Sequence, residues 1–103
     1  MFDEKCYLEN PAFEKATIML KAIAHPQRLM VLQTIANEGY INASAIQERM
    51  IITQPALSQH LRKLQYGYIL TQTKRGRRVY YSLNNPAMIE GLRLLCDLNL
   101  VKF

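Results

Sequence analysis

The sequence predicts a mainly α chain with one β-hairpin, in the order α-α-α-α-β-β-α, forming a single domain over 1–103. Three observations predict it. Apolar residues recur at helical spacing up to Leu64 and again in the last stretch of the chain. Between Ile69 and Leu83 that period gives way to strand-like alternation on either side of Gly76. Asn, Thr, Pro and Gly stand between the segments, where caps and stops belong.

Asn10-Pro11 opens the first helix, about 11–24, with Asn as N-cap and Pro in the first turn. Phe13, Ala16, Leu20, Ile23 and Ala24 make its inward stripe. Ile18, Met19 and Ala22 widen the apolar face beyond what one core needs. His25-Pro26 breaks this helix, because Pro disfavours helical backbone at the residue before it, and starts the next. The second helix runs to about Glu38, faces Leu29, Leu32, Ile35 and Ala36 inward, and stops at Gly39.

Tyr40-Ile41 reads as a short extended piece. Asn42 caps a third helix to about Ile51, anchored by Ile46 and Met50, and Thr53 caps a fourth with Pro55 in its first turn. In the fourth helix Leu57, Leu61 and Leu64 share one face. At 100° per residue, Pro55, Gln59, Arg62 and Tyr66 point the opposite way, with Lys63 on the flank. Two helices joined by a tight connection over about 43–66, the second presenting Gln and Arg, have the makings of a helix-turn-helix with a recognition helix.

Gly67 ends that helix. A hairpin over about 69–83 follows, with strands Ile69 to Thr73 and Arg78 to Leu83 and a turn at Lys74-Arg75-Gly76-Arg77. Four basic side chains, Lys74, Arg75, Arg77 and Arg78, crowd its tip. Asn84-Asn85-Pro86 caps a last helix, about 87–100, with Ile89, Leu92, Leu95 and Cys96 on one stripe and Leu94 and Leu98 on another. A helix so apolar is covered on two sides, and in a chain of 103 residues a second subunit is the expected cover.

Composition narrows the function. The chain is 50% hydrophobic, enough for a core, and carries a net charge of +5. The surplus is local: residues 1–52 sum to −1 and residues 53–103 to +6, with no acidic residue between Glu48 and Glu90. A solvated basic face is one reading. Solubility alone favours mixed signs, so a polyanion is the better one, and double-stranded DNA is the expected partner.

No nucleophile–base pair, metal quartet or glycine-rich phosphate loop stands out, so no enzyme, cofactor or metal is expected. Asp3, Glu4 and Lys5 are the wrong pattern for a secretory signal, and no stretch is long and apolar enough for a membrane helix. Two cysteines ninety positions apart, Cys6 and Cys96, make no disulfide framework. A cytoplasmic protein is expected.

Three segments resemble one family. Lys21-Ala-Ile-Ala-His-Pro-Gln-Arg-Leu29 with Leu32, Gln54-Pro-Ala-Leu-Ser-Gln-His-Leu-Arg-Lys-Leu64 and Gly76-Arg-Arg-Val-Tyr-Tyr-Ser-Leu83 are similar to the helix junction, recognition helix and wing of the ArsR/SmtB family of winged-helix repressors. The family usually has Ala-Gly after the recognition helix. Gly67-Tyr68 stands there in this chain, so the helix is expected to end a residue earlier. The resemblance implies a cytoplasmic repressor, a homodimer through its first and last helices, and recognition helices entering major grooves about 34 Å apart on a pseudo-palindromic operator. An activator that displaces another DNA-binding protein, or a winged-helix protein-interaction module, are the alternatives.

Chemistry assigns the contacts. Gln59 is the best base reader, since its amide pairs bidentately with adenine, and Arg62 suits guanine or phosphate. Gln54, Ser58 and Lys63 suit phosphate or mixed contacts. Arg75, Arg77 and Arg78, with Lys74, suit the negative potential of a narrow minor groove. His60 suits packing or phosphate, and His25 the helix junction. The resemblance also implies a metal or other inducer, but its Cys-x-Cys positions fall on Asn42 and Ser44, and residues 84–103 hold Glu90 and Asp97 without a histidine. Cys6 and Cys96 are either packing residues or a redox switch near the dimer interface. The inducer is left unidentified.

Overall fold

The structure is a computed structural model that describes residues 4–97. A short helix α1, Glu4–Leu8, precedes α2, Pro11–Ile23. Then follow α3 Pro26–Glu38, β1 Ile41–Asn42, α4 Ala43–Glu48 and α5 Gln54–Tyr66. The strands β2 Leu70–Arg75 and β3 Arg78–Leu83 lead to α6, Ala87–Asp97. The last helix was expected to reach residue 100; positions 98–100 lie outside the described residues.

The expected caps do the starting and stopping. Asn10, Asn42 and Thr53 each accept a hydrogen bond from an orphan backbone N–H of the helix they open, at 2.9, 2.8 and 3.3 Å. His25 caps α3 in the same way, its Nδ1 accepting from the Gln27 backbone N–H at 3.1 Å. Gly39, at φ 75°, closes α3 by donating to the Ile35 carbonyl at 2.7 Å.

The buried core joins α3, α4 and α5 to the sheet. Val31, Leu32, Ile35, Ile41, Ile46, Leu57, Leu61, Leu64, Ile69 and Leu70 are its centre, with Ala22 from α2. Leu57, Leu61 and Leu64 face inward as their spacing requires. In α3 the inward set is Val31, Leu32 and Ile35, while Leu29 and Ala36 are half-buried.

Four expectations are corrected. Of the expected α2 stripe only Ile23 packs on the core; Phe13, Ala16, Leu20 and Ala24 are exposed, and Met19 and Ala22 face inward in their place. A helix apolar on two faces does not tell from sequence which one its own chain will cover. The third helix stops at Glu48 rather than near Ile51, because Arg49 and Met50 turn back on Ile46 and Gln47 in a tightened last turn. The hairpin strands run to Arg75 and from Arg78, so the turn is Gly76-Arg77 alone. Gly76 has φ 62° at the first central position, as a type II′ turn requires. Short α1 was not expected at all.

The sheet has three antiparallel strands in the order β1-β3-β2, with Ile41 opposite Tyr81 and Leu70 opposite Leu83. At the end of α5, Gly67 has ordinary backbone angles and Tyr68, at φ 62°, takes the left-handed position. The helix ends at Tyr66, and Gly67 serves a different need. A Cβ there would lie 2.3 Å from the Cβ of Ala22. Glycine lets α2 pack directly on the end of α5. Asn84 then ties this exit to the hairpin base, donating from its amide to the Tyr68 carbonyl and accepting from the Thr71 hydroxyl, at 3.3 and 3.0 Å.

Candidate nucleic-acid interface

Helix α5 divides by its period into a buried and an exposed half. Its inner face holds Leu57, His60, Leu61 and Leu64. Gln54, Ser58, Gln59, Arg62 and Lys63 are all exposed, as is Tyr66. The sequence thus located the outward groups correctly, and their amides, hydroxyl and cations are free to meet a ligand.

His60 is the buried polar side chain of the described residues, at 9% exposure. Its Nε2 lies 2.9 Å from the side-chain oxygen of Gln27, and its Nδ1 accepts from the Arg28 Nε at 3.4 Å. Arg28 also donates to the Ala22 carbonyl at 3.1 Å. One guanidinium therefore links α2, α3 and α5. Burial, then the neighbouring His25, Arg28 and Lys63, hold the His60 imidazole below its ordinary pKa, so it is neutral at pH 7.

The hairpin tip carries Lys74, Arg75, Arg77 and Arg78, all exposed. Among the described residues no carboxylate pairs with any of them. Arg75 and Arg78 stand directly opposite each other across the strands. Two like charges so placed weaken a hairpin by about 0.2–1 kcal/mol. Their placement makes sense where an anion will neutralise them.

The sequence missed the support beneath the tip. Tyr40, just before β1, stacks on Tyr80 of β3 with ring centroids 4.6 Å apart and planes 4° from parallel. The Arg75 guanidinium lies 5.6 Å from the Tyr40 centroid. Tyr80 was legible as one face of an alternating strand; its pairing with Tyr40 depends on β1 joining the sheet.

The structure does not gather all basic side chains at one point. Arg77 and Arg78 line an open cleft with Asn42, Ser44 and Glu48. Lys63 lines a separate groove with Lys21, Arg28 and Tyr66. The hairpin is joined to α5 lower down, where the Gln65 amide donates to Gln72 at 2.7 Å. Ile51, in the turn between α4 and α5, is fully exposed at 102%.

The positions bearing on an inducer are occupied otherwise. Asn42 is committed to its cap. Glu90 pairs with Arg93 at 2.9 Å. Among the described residues no group of three His, Cys, Asp or Glu could hold a metal ion. Cys6 is exposed on α1; Cys96 is on α6, and its side chain lies outside the described ones.

Helices α2 and α6 line an open apolar groove of about 440 Å³ with Ala16, Met19, Leu20, Ile23, Met88 and Leu92, among others. Leu8, Phe13, Leu20 and Leu94 are exposed on α1, α2 and α6. Among the described residues no helix is long and apolar enough to cross a membrane.

Comparison with known proteins finds transcriptional regulators. The transcriptional repressor PagR of Bacillus anthracis is 33% identical over 85 residues, covering 82% of this chain and 84% of PagR. Its crystal structure superposes with a TM-score of 0.75, over 82% of this chain and 95% of that one, at 32% identity. The transcriptional activator HlyU of Vibrio cholerae is 37% identical over 89 residues, 82% of each chain. A homodimeric winged helix-turn-helix DNA-binding domain from Mycobacterium bovis, described as a possible ArsR-family regulator, has the same fold. There the TM-score is 0.76 over 97% of this chain and 91% of that one, at 22% identity. No family model matches the chain.

Proposed function

The chain belongs to the helix-turn-helix transcriptional regulators, the family of its PagR and HlyU relatives, and from that premise we propose a DNA-binding repressor of the ArsR/SmtB type. It acts in the cytoplasm as a homodimer on a pseudo-palindromic operator. The observation that carries this reading is the exposed face of α5 together with a hairpin tip of four cations that no carboxylate pairs with among the described residues.

In this reading α5 enters the major groove. Gln59 reads a base edge, and Arg62 takes guanine or a phosphate. Gln54, Ser58 and Lys63 fix the register through phosphates, and Ile51 offers an apolar contact of the kind a thymine methyl accepts. The wing carries Lys74, Arg75, Arg77 and Arg78 to the flanking minor groove. The exposed apolar faces of α2 and α6 meet their copies in the partner, which sets the distance between the two recognition helices. HlyU is named an activator, and occupancy of a site is the same physical event in either direction of control. A purely protein-binding winged helix would have no use for the basic tip.

Gel-shift titrations across a salt series, on duplexes selected by the protein from a random pool, test this. Gln59→Ala weakens the selected duplex and spares random DNA. Arg77→Ala or Arg78→Ala weakens every duplex and flattens the salt slope by about 1. Duplex binding that is absent, or indifferent to salt, sinks the reading.

A further inference from the structure

His60 sits on the recognition helix but faces away from the DNA side, buried against the start of α3. Arg28 Nε can only donate, so the His60 Nδ1 that receives it at 3.4 Å must be an unprotonated acceptor. A neutral ring then carries its proton on Nε2, which donates to the Gln27 side-chain oxygen at 2.9 Å. Both nitrogens are in use, and only one tautomer of the neutral ring fits.

A second imidazole repeats the constraint. The His25 ring centroid is 4.8 Å from that of His60, and His25 Nδ1 accepts from the Gln27 backbone N–H. Gln27 is therefore held by both rings, at its backbone by one and at its side chain by the other. The charged and titratable groups facing His60 are His25, the N-cap of α3, Arg28 from α3 and Lys63 from α5 itself. Lys21 of α2 lines the adjoining groove with Arg28 and Lys63. Arg28, Lys63 and Lys21 are cationic, and among the described residues no carboxylate stands with them to receive a proton's charge.

We infer that His60 is a positioning residue that locks α5 against α3 only while its ring is neutral, so that mild acid unlocks the recognition helix and releases DNA. A proton on Nδ1 turns the acceptor into a donor aimed at the Arg28 N–H and adds a cation beside Arg28. The Arg28 bond must break, and α5 loses the guanidinium that ties it to α2 and α3, leaving the Nε2–H bond to Gln27 to hold alone. Burial keeps the ring neutral at pH 7, which leaves the lock engaged there.

The inference rests on the DNA-binding reading, and its sign distinguishes it from ordinary electrostatics. A basic protein that gains protons should bind a polyanion more tightly as pH falls. This one is expected to bind more weakly. Fluorescence anisotropy on a duplex selected at about pH 7.5 is repeated at roughly pH 6.5 and 5.5 at constant ionic strength, spanning the ordinary histidine range. Far-UV circular dichroism monitors the helices at each pH. Wild type is expected to lose about tenfold in affinity, the equivalent of one pH unit of linked protonation, while remaining helical. His60→Gln, whose amide can donate to Gln27 and accept from Arg28 without titrating, is expected to bind at the higher pH and to stay flat or tighten in acid.

Affinity that holds or rises for wild type, or an equal fall for His60→Gln, overturns the lock. Failure of wild type to bind any duplex at the higher pH sinks the DNA-binding reading instead. Should the variant not fold, the free wild-type protein decides by NMR: amides of α5 must shift with the same midpoint as the His60 ring. If they do not move through that titration, the lock is overturned.

Discussion

The Cβ of Ala22 occupies the space that a side chain on Gly67 would need, and the close approach of α2 to the end of α5 depends on both residues being small. Gly67→Ala is therefore expected to destabilise the fold by about 1–3 kcal/mol, since the added methyl meets another Cβ and not a flexible side-chain end. Ala22→Gly alone costs about 1 kcal/mol of helix propensity. In the double variant the clash is gone, so its loss falls short of the sum of the two single losses. Urea denaturation of the four proteins measures this coupling, and strict additivity would show that the contact is not the reason for Gly67.

Local signals made most of this fold legible. Asn10, Asn42 and Thr53 announced their helices, because capping is chemistry between neighbours in sequence. The inner face of α5 followed from Leu57, Leu61 and Leu64, and its outer face from the same period. What escaped depended on partners distant in the chain. Gly67 reads as a stop signal, yet the residue that takes the left-handed backbone is Tyr68, where the Lys15 ammonium lies 4.7 Å from the ring centroid. A left-handed backbone costs a residue other than glycine roughly 1–2 kcal/mol. In α2 the inward face was legible only at Ile23, since both faces are apolar and only the tertiary structure chooses Met19 and Ala22 over Phe13 and Leu20.

Stability should follow the neutral state of His60. Its pKa in the folded chain lies below 6.5, the unfolded value, so the unfolded state binds the proton first. The contribution is fully present above pH 6.5 and is lost as pH falls from there through the folded pKa. In that window the slope from this one group is at most about 1.4 kcal/mol per pH unit. Urea midpoints for wild type should fall across it, and those for His60→Gln should fall less. Parallel pH profiles would assign the acid sensitivity elsewhere.

Tyr40 gives the wing a test of its own. The ring stacks on Tyr80 and lies beneath Arg75, so Tyr40→Ala removes the platform and leaves every wing charge in place. DNA affinity is expected to fall by about twofold to fivefold, in keeping with an exposed cation–π contact of about 0.5–1 kcal/mol. Tyr40→Phe should restore it, because the stack needs the ring and not the hydroxyl. A loss that the Phe variant does not rescue would point to the hydroxyl as a contact in its own right.

The apolar side chains of α2 and α6 make the strongest demand for a second copy. Leu20 is 64% exposed and Leu94 66%, on the two helices that border the apolar groove. Burying a leucine side chain is worth roughly 1.5–3 kcal/mol, and a dimer through these helices buries each of them twice over. Leu20→Glu or Leu94→Glu is expected to give a folded monomer by sedimentation, with operator affinity reduced at least about tenfold because one half-site is lost. A dimer that persists in both variants places the interface elsewhere. The same gel shift examines the thiols. A redox switch requires that oxidised wild type release DNA and that Cys6→Ser or Cys96→Ser hold it, whereas equal binding of reduced and oxidised wild type assigns both cysteines to packing.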